Sequence, residues 1–316
     1  MGEMMSTHLD EIELLFGIGD LHGHYPALNS LLVAMDNCYN IFEDDNPAKL
    51  RPNVAMAFTG DYIDRGNQGL KIIELVKALE QANPGSVQAL FGNHELLALA
   101  DLDEARRAAQ SQDPFKIYKI CSNHGRNGGD AFVREFGSGE PKAIFDSYVQ
   151  RMSRDGDIGQ WMRGLNPFWL PRANGKTVLF VHAGIPKDLN SRHEMGDYLR
   201  RFDDHVSRQT LEAGGSEQKY LESRLVDTDS IFWDRRVPQG MRKAEVHVLA
   251  DSVRADYVVI GHTPQTAGKI ANYHDRVFDI DVGMTPHYGG NEPAAIVFKH
   301  DSVFAFYAKR GEERLV

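Results

Sequence analysis

The sequence predicts an α/β fold, and three observations carry that prediction. Short apolar runs alternate with segments that are apolar at helical spacing, three times within the first hundred residues. Several of the runs end in glycine turns that carry a hard oxygen or imidazole donor. The chain has 316 residues, 42% hydrophobic and 25% charged, an ordinary globular composition long enough to bury a large core.

Leu14 to Ile18 reads as a buried strand, and Pro26, suited to a first helical turn, starts a helix to about Asp36. Val54 to Phe58 is the second strand, and Leu70, Ile73, Val76 and Leu79 form the apolar stripe of the next helix. Val87 to Phe91 is the third strand, with a helix opening at His94 and running through Ala100. Three such β-loop-α units favour a mostly parallel sheet with its loops gathered at the strand C-termini.

From Asp101 to about Gly175 the pattern changes: charged and helical, then glycine-rich (Asn123 to Gly139), then helical again. This stretch reads as an inserted subdomain, and Trp161, Phe168 and Trp169 are expected to pack in the core or the subdomain rather than line a substrate groove. Thr177 to Val181 is the next strand, followed by a second polar, helical insertion from Lys187 to about Thr228. Asp256 to Ile260 is a further strand. Val277 to Ile280, Ala294 to Phe298 and Val303 to Phe306 are expected to form an antiparallel meander, with Lys309 to Arg314 as a solvated tail.

A net charge of -10 argues against a nucleic-acid or anionic-membrane surface, both of which attract basic faces. An anionic substrate stays open, because bound divalent metals and a few arginines invert the sign locally. Two cysteines, Cys38 and Cys121, make no disulfide framework, so a reducing cytoplasm is expected. Met1 to Glu13 has no basic segment followed by an apolar core, so no secretory signal is expected, and no apolar run approaches the ~20 residues of a membrane span.

The chemistry sits in five glycine-bounded segments. They are Gly19-Asp20-Leu21-His22-Gly23, Gly60-Asp61-Tyr62-Ile63-Asp64-Arg65-Gly66, Gly92-Asn93-His94-Glu95, Val181-His182-Ala183-Gly184 and Gly261-His262-Thr263-Pro264. Asp20 and His22 lie two apart, so an extended loop aims both at one metal ion. Asp61 offers a second carboxylate, one oxygen per ion, and Asn93, His182 and His262 supply neutral donors to the second ion. Mixed imidazole and carboxylate donors suit Mn, Fe or Zn better than Ca. Two such ions promote in-line displacement at phosphorus. His94 is then the general acid, Asp64 its carboxylate partner, and Arg65 a phosphate grip. Arg235, rather than Arg236, is the second arginine. The remaining histidines, His24 and His124 among them, read as ordinary surface or core residues, and Tyr288 stands evenly between phosphate contact and packing.

These segments resemble the phosphoprotein phosphatase family of metallophosphoesterases, whose signatures are GDxHG, GDxVDRG and GNHE followed by two histidine segments, with Ile63 here in place of valine. The resemblance implies a four-layer αββα sandwich of central mixed sheets flanked by helices. It implies one calcineurin-like domain over about residues 10–316, with insertions at about 101–175 and 187–228. By position it implies Asp20, His22 and Asp61 at the first ion and Asp61, Asn93, His182 and His262 at the second. The usual His-Gly-Gly is His182-Ala183-Gly184, and the C-terminal segment reads Asp279-Ile280-Asp281-Val282-Gly283-Met284 and Tyr288-Gly289-Gly290. Those departures are similar to the bacterial and Shewanella-like branch, some of whose members favour phosphotyrosine. The implied activity is metal-dependent hydrolysis of a phosphomonoester on a phosphorylated protein or small molecule. A symmetrical diadenosine-polyphosphate hydrolase and a catalytically silent phosphate-binding module are the alternatives.

Overall fold

The computed structural model describes residues 12–186 and 230–316. The expected insertion at 187–228 lies outside them. The first half runs β1 (Leu14–Ile18), α1 (Tyr25–Tyr39), β2 (Phe42–Glu43), β3 (Asn46–Leu50), β4 (Val54–Phe58), α2 (Gly69–Ala82), β5 (Val87–Ala89) and α3 (Asn93–Ala100). The next stretch is helical, with α4 (Leu102–Ala108), α5 (Pro114–Cys121), α6 (Asp130–Val133), α7 (Pro141–Met152) and α8 (Asp157–Arg163). Then come β6 (Phe168–Trp169), β7 (Arg172–Ala173), β8 (Lys176–Val181), α9 (Lys243–Ser252), β9 (Tyr257–Ile260), β10 (Ala271–Tyr273), β11 (Val277–Asp279), β12 (Ala294–Lys299), β13 (Ser302–Tyr307) and β14 (Gly311–Arg314).

Two mixed sheets result. The first has the order β14-β13-β12-β1-β4-β5, with β1, β4 and β5 parallel and the rest antiparallel. The second has the order β10-β11-β9-β8-β6, with β8, β9 and β11 parallel. Every residue of β4 is buried, as continuous apolar runs in a covered parallel sheet should be. Between the sheets Phe180 and Phe278 of the second meet Phe298 of the first, at ring-centroid distances of 6.3 and 6.4 Å. Helices α1 and α2 cover the outside of the first sheet through Leu28, Leu31, Met35, Ile72, Ile73 and Val76. Helix α9 buries Val246 and Ala250 beside the second. This is the expected sandwich of mixed sheets flanked by helices. The C-terminal ends of β1, β4, β5, β8 and β9 all open on one edge, where the five motif loops meet.

Three expectations are corrected. Val277–Asp279 is not part of the meander; it pairs parallel with β9 and antiparallel with β10 in the other sheet. All three of its residues are buried, so no polar alternation marks which sheet it joins. Residues 311–314 are an edge strand on β13 rather than a solvated tail. Their charged side chains suit an exposed edge, where they oppose further strand pairing. The hairpin β2–β3 and the short strands β6 and β7 were not expected, and each is too short to show a period. Trp161 and Trp169 do pack internally, on Tyr62 and Phe180 respectively.

Phe180, fully buried and in ring contact with Trp169 and Phe298, is a keystone between the sheets. Phe180→Ala is expected to lower unfolding free energy by about 3–5 kcal/mol in urea titration. A loss below about 1 kcal/mol, the cost of a volume-conserving swap, would mean that the sheets close over the cavity.

Candidate active site

The motif loops are locked to each other before any side chain is considered. The backbone N–H groups of Leu21 and His22 donate to the Asp61 carbonyl at 3.1 and 2.8 Å, and Gly66 N–H donates to the His22 carbonyl at 3.0 Å. Gly261 N–H donates to the His182 carbonyl at 2.7 Å. His22, Asp61, Asp64, Arg65 and His262 all have positive φ, between 40 and 71°. Left-handed backbone at five non-glycine residues is costly and clusters where a site imposes it.

Glu95, in the first turn of α3, ties its own segment to the Gly60–Gly66 loop. Its carboxylate accepts the N–H groups of Asp61 at 2.9 Å, Tyr62 at 2.9 Å and Gly92 at 3.1 Å. Burial pushes its pKa up to about 7, against the pull of those donors. Position 92 has no room for a side chain, because a Cβ there would stand 2.3 Å from Asp61 Oδ1. The sequence motif contained Glu95 without assigning it a task.

The predicted donors converge and are almost wholly buried. Asp61 is central: Oδ2 lies 3.5 Å from His22 Nε2 and Oδ1 lies 3.5 Å from His182 Nε2. Asp20 Oδ2 is 3.9 Å from His22 Nε2, and both Asp20 oxygens accept the His262 backbone N–H at 3.1 Å. Two compact groups could each hold a metal ion, His22 with Asp61 and His94, and Asp61 with His182 and His262. The first contains His94 where Asp20 was expected. His94 Nδ1 is 2.6 Å from Asp64 Oδ2, leaving Nε2 facing Asp61 Oδ2 at 3.9 Å.

The lone pairs test whether a cation fits. His22 Nδ1 is 3.2 Å from the Ile63 carbonyl and His182 Nδ1 is 2.8 Å from the Thr59 carbonyl, so each of these nitrogens carries the proton. Both Nε2 atoms then present lone pairs to the cleft. With its amide oxygen inward, Asn93 Oδ1 lies 2.8 Å from His182 Nε2 and 3.1 Å from His262 Nδ1. Asn93 Oδ1 facing the His182 Nε2 lone pair at 2.8 Å calls for a cation between them; otherwise the amide turns over and donates to the same nitrogens and to Asp61. Burial lowers the pKa of His22 and His262, and that of His182 to about 3, so all three stay in the neutral, ligating form. Burial, reinforced by neighbouring carboxylates, raises Asp20 and Asp61 well above the usual range, a penalty that bound cations would remove. The residues fit divalent metal.

The other predicted groups sit at the rim. Arg65 lies 5.9 Å from the centroid of the Tyr288 ring, which in turn lies 5.2 Å from His22. Arg235 Nη1 donates to Thr263 Oγ1 at 3.0 Å, beside His262. Arg236 is instead tied to Asp234 and the Ile185 carbonyl. His24 Nδ1 meets the Met284 carbonyl at 3.0 Å and stays outside the cluster. His124, read from sequence as an ordinary residue, is bonded to the other oxygen of Asp64 at 2.8 Å. Only its place in a glycine-rich loop hinted at that.

Residues 15–266 match the family model described as calcineurin-like phosphoesterase. Shewanella-like protein phosphatase 1 of Plasmodium berghei is 25% identical over 292 residues, covering 88% of this chain and 70% of its own. Shewanella-like protein phosphatase 2 of Arabidopsis thaliana is 23% identical over 327 residues, covering 95% and 78%. A cold-active protein-tyrosine phosphatase of a psychrophilic Shewanella species shares the fold, with a TM-score of 0.66 at 20% identity over 96% of this chain and 81% of that one. The chain belongs to the calcineurin-like phosphoesterases, hydrolases of phosphoesters that work with divalent metal. Among the described residues, no helix is long and apolar enough to cross a membrane.

Glu95→Gln would set an amide NH2 against backbone N–H donors. It is expected to cost about 1–3 kcal/mol in chemical denaturation, because a buried donor is left unpaired. Asp61→Asn is expected to lose bound metal by elemental analysis while remaining folded. Full occupancy in that variant would remove Asp61 from the ligand set.

Proposed function

We propose that this calcineurin-like phosphoesterase is a protein phosphatase that removes phosphate from phosphoserine, phosphothreonine or phosphotyrosine. The observation that carries the reading is the pair of buried donor groups sharing Asp61, with the His94–Asp64 pair beside them. The names of the two curated relatives support a phosphorylated protein as substrate. Asp20, His22 and Asp61 would hold one ion, and Asp61, Asn93, His182 and His262 the other. Mn, Fe or Zn suits this mixture of imidazole and oxygen donors. Two bound cations would acidify the attacking water and offset charge on the attacking and leaving oxygens.

The chain's own residues do the rest. Asp64 fixes His94 by the 2.6 Å bond at Nδ1, leaving Nε2 turned to the cleft to protonate the leaving oxygen. Burial lowers the His94 pKa while Asp64 draws it back up. Arg65 and Arg235 grip phosphate oxygens. The bonds from Arg236 to Asp234 and Ile185 favour Arg235 for that task. We take residues 10–316 as one phosphoesterase domain with a helical insertion at about 101–175; the second insertion, at about 187–228, lies outside the described residues. The free, exposed thiols of Cys38 and Cys121 suit a cytoplasmic setting.

A second reading makes His94 a metal ligand, favoured by its grouping with His22 and Asp61. Metal content separates the two. His94→Asn is expected to keep its metal and to lose about 10²–10⁴-fold in kcat, the range for general acid catalysis. Loss of metal from that variant would establish the ligand reading instead. A matched panel of phosphoserine, phosphothreonine and phosphotyrosine peptides, run beside a dinucleotide polyphosphate, tests the substrate class. Faster cleavage of the dinucleotide would overturn the protein phosphatase assignment.

A further inference from the structure

Two imidazoles share the Asp64 carboxylate. Oδ2 lies 2.6 Å from His94 Nδ1, and Oδ1 lies 2.8 Å from His124 Nε2. Asp64 is fully buried on left-handed backbone, and an unpaired Oδ1 there would be costly. His124 answers that demand from the segment between α5 and α6.

Every side of the His124 ring is held. Its Nδ1 lies 2.7 Å from the Tyr118 hydroxyl and 3.5 Å from the Tyr148 hydroxyl. Its backbone N–H donates to Asp101 Oδ2 at 2.6 Å. The ring lies parallel to Tyr148 at an interplanar angle of 11°, and a Cβ at Gly129 would stand 2.4 Å from it. A phenol hydroxyl both donates and accepts, so Tyr118 can satisfy Nδ1 with or without a proton. Burial alone would raise the Asp64 pKa, yet the contacts of His124 and His94 outweigh it and hold Asp64 ionised. The same loop reaches the phosphate grip, because Arg65 N–H donates to the Gly128 carbonyl at 3.4 Å.

We propose that His124 is a positioning residue for phosphoryl transfer: by donating Nε2–H to Asp64 Oδ1 it fixes that carboxylate and so aims His94 at the leaving oxygen. A carboxylate held at one oxygen only can rotate about χ2; one held at both cannot. Tyr118 orients His124 in turn, making a chain of Tyr118, His124, Asp64 and His94. The inference rests on the reading of His94 as the proton donor.

The test compares p-nitrophenyl phosphate, whose leaving group needs little protonation, with phenyl phosphate, whose leaving group needs more. The manganese-loaded parent is run beside His94→Asn, His124→Phe, His124→Gln and Tyr118→Phe, with metal content matched. His124→Phe is expected to lose at least about 10-fold more kcat on phenyl phosphate than on p-nitrophenyl phosphate, with KM unchanged, as partial loss of acid catalysis requires. His124→Gln keeps a donor for Asp64 and should recover most of that difference. Tyr118→Phe should show a smaller loss of the same sign, and it carries the comparison with His124→Gln if His124→Phe does not fold. Equal losses on both substrates in the His124 and Tyr118 variants, while His94→Asn discriminates, would make His124 a packing residue only. No discrimination by His94→Asn itself would overturn the proton-donor reading, and this inference with it.

Discussion

The Asp61 carboxylate sits where the two donor groups meet, one oxygen 3.5 Å from His22 and the other 3.5 Å from His182. Its neighbours hold that carboxylate in place or answer its charge. Glu95 takes the Asp61 backbone N–H, His94 donates its own N–H to Oδ1 at 3.1 Å, and Gly92 leaves the space in which they meet. The cost is electrostatic. Asp20 and Asp61 are buried together, with Asp279 and Asp281 buried behind them, and burial raises the pKa of Asp281 to about 7. Buried like charges are tolerable only with compensation, which Arg235 supplies in part and divalent cations would supply in full.

A site of this kind must exist before its metal arrives, and the sandwich provides for that. Strands from both sheets end at one edge, and each ends in a turn whose backbone is bonded to the next turn. Five non-glycine residues in left-handed conformation are held there by the mutual hydrogen bonds of the loops and by the apolar layer between the sheets. The packing of Phe180, Phe278 and Phe298 is thus continuous, through the strand ends, with the placement of His182 and His262.

The helices from α4 to α8 are bound into this arrangement rather than appended to it. Glu135 accepts the first N–H groups of α2, from Gly69 and Leu70, at 2.8 and 2.9 Å. Trp161 donates to Glu80 of the same helix at 2.9 Å. His124 bonds Asp64 Oδ1, while the other oxygen of that carboxylate meets His94. A stretch that reads, as a string of residues, like an inserted subdomain is bonded to a motif loop and to the start of α2 from behind.

What the sequence by itself determined is whatever depends on neighbours in the chain. A buried run ending in glycine, followed by an aspartate or histidine, specifies a strand and an aimed side chain within a few residues. The three β-loop-α units and the convergence of Asp20, His22, Asp61, Asn93, His182 and His262 were therefore legible. Partners distant in the chain were not. The sheet that Val277–Asp279 joins, the pairing of Gly311–Arg314, the bonds from Asp61 and Tyr62 to Glu95, and the bond from His124 to Asp64 depend on what the fold brings alongside. A short strand buried on both faces looks the same in either sheet, and a histidine looks the same in a core or behind a buried carboxylate. Only the tertiary structure decides between them, because hydrogen-bond partners and burial belong to the packed molecule and leave no period in the chain.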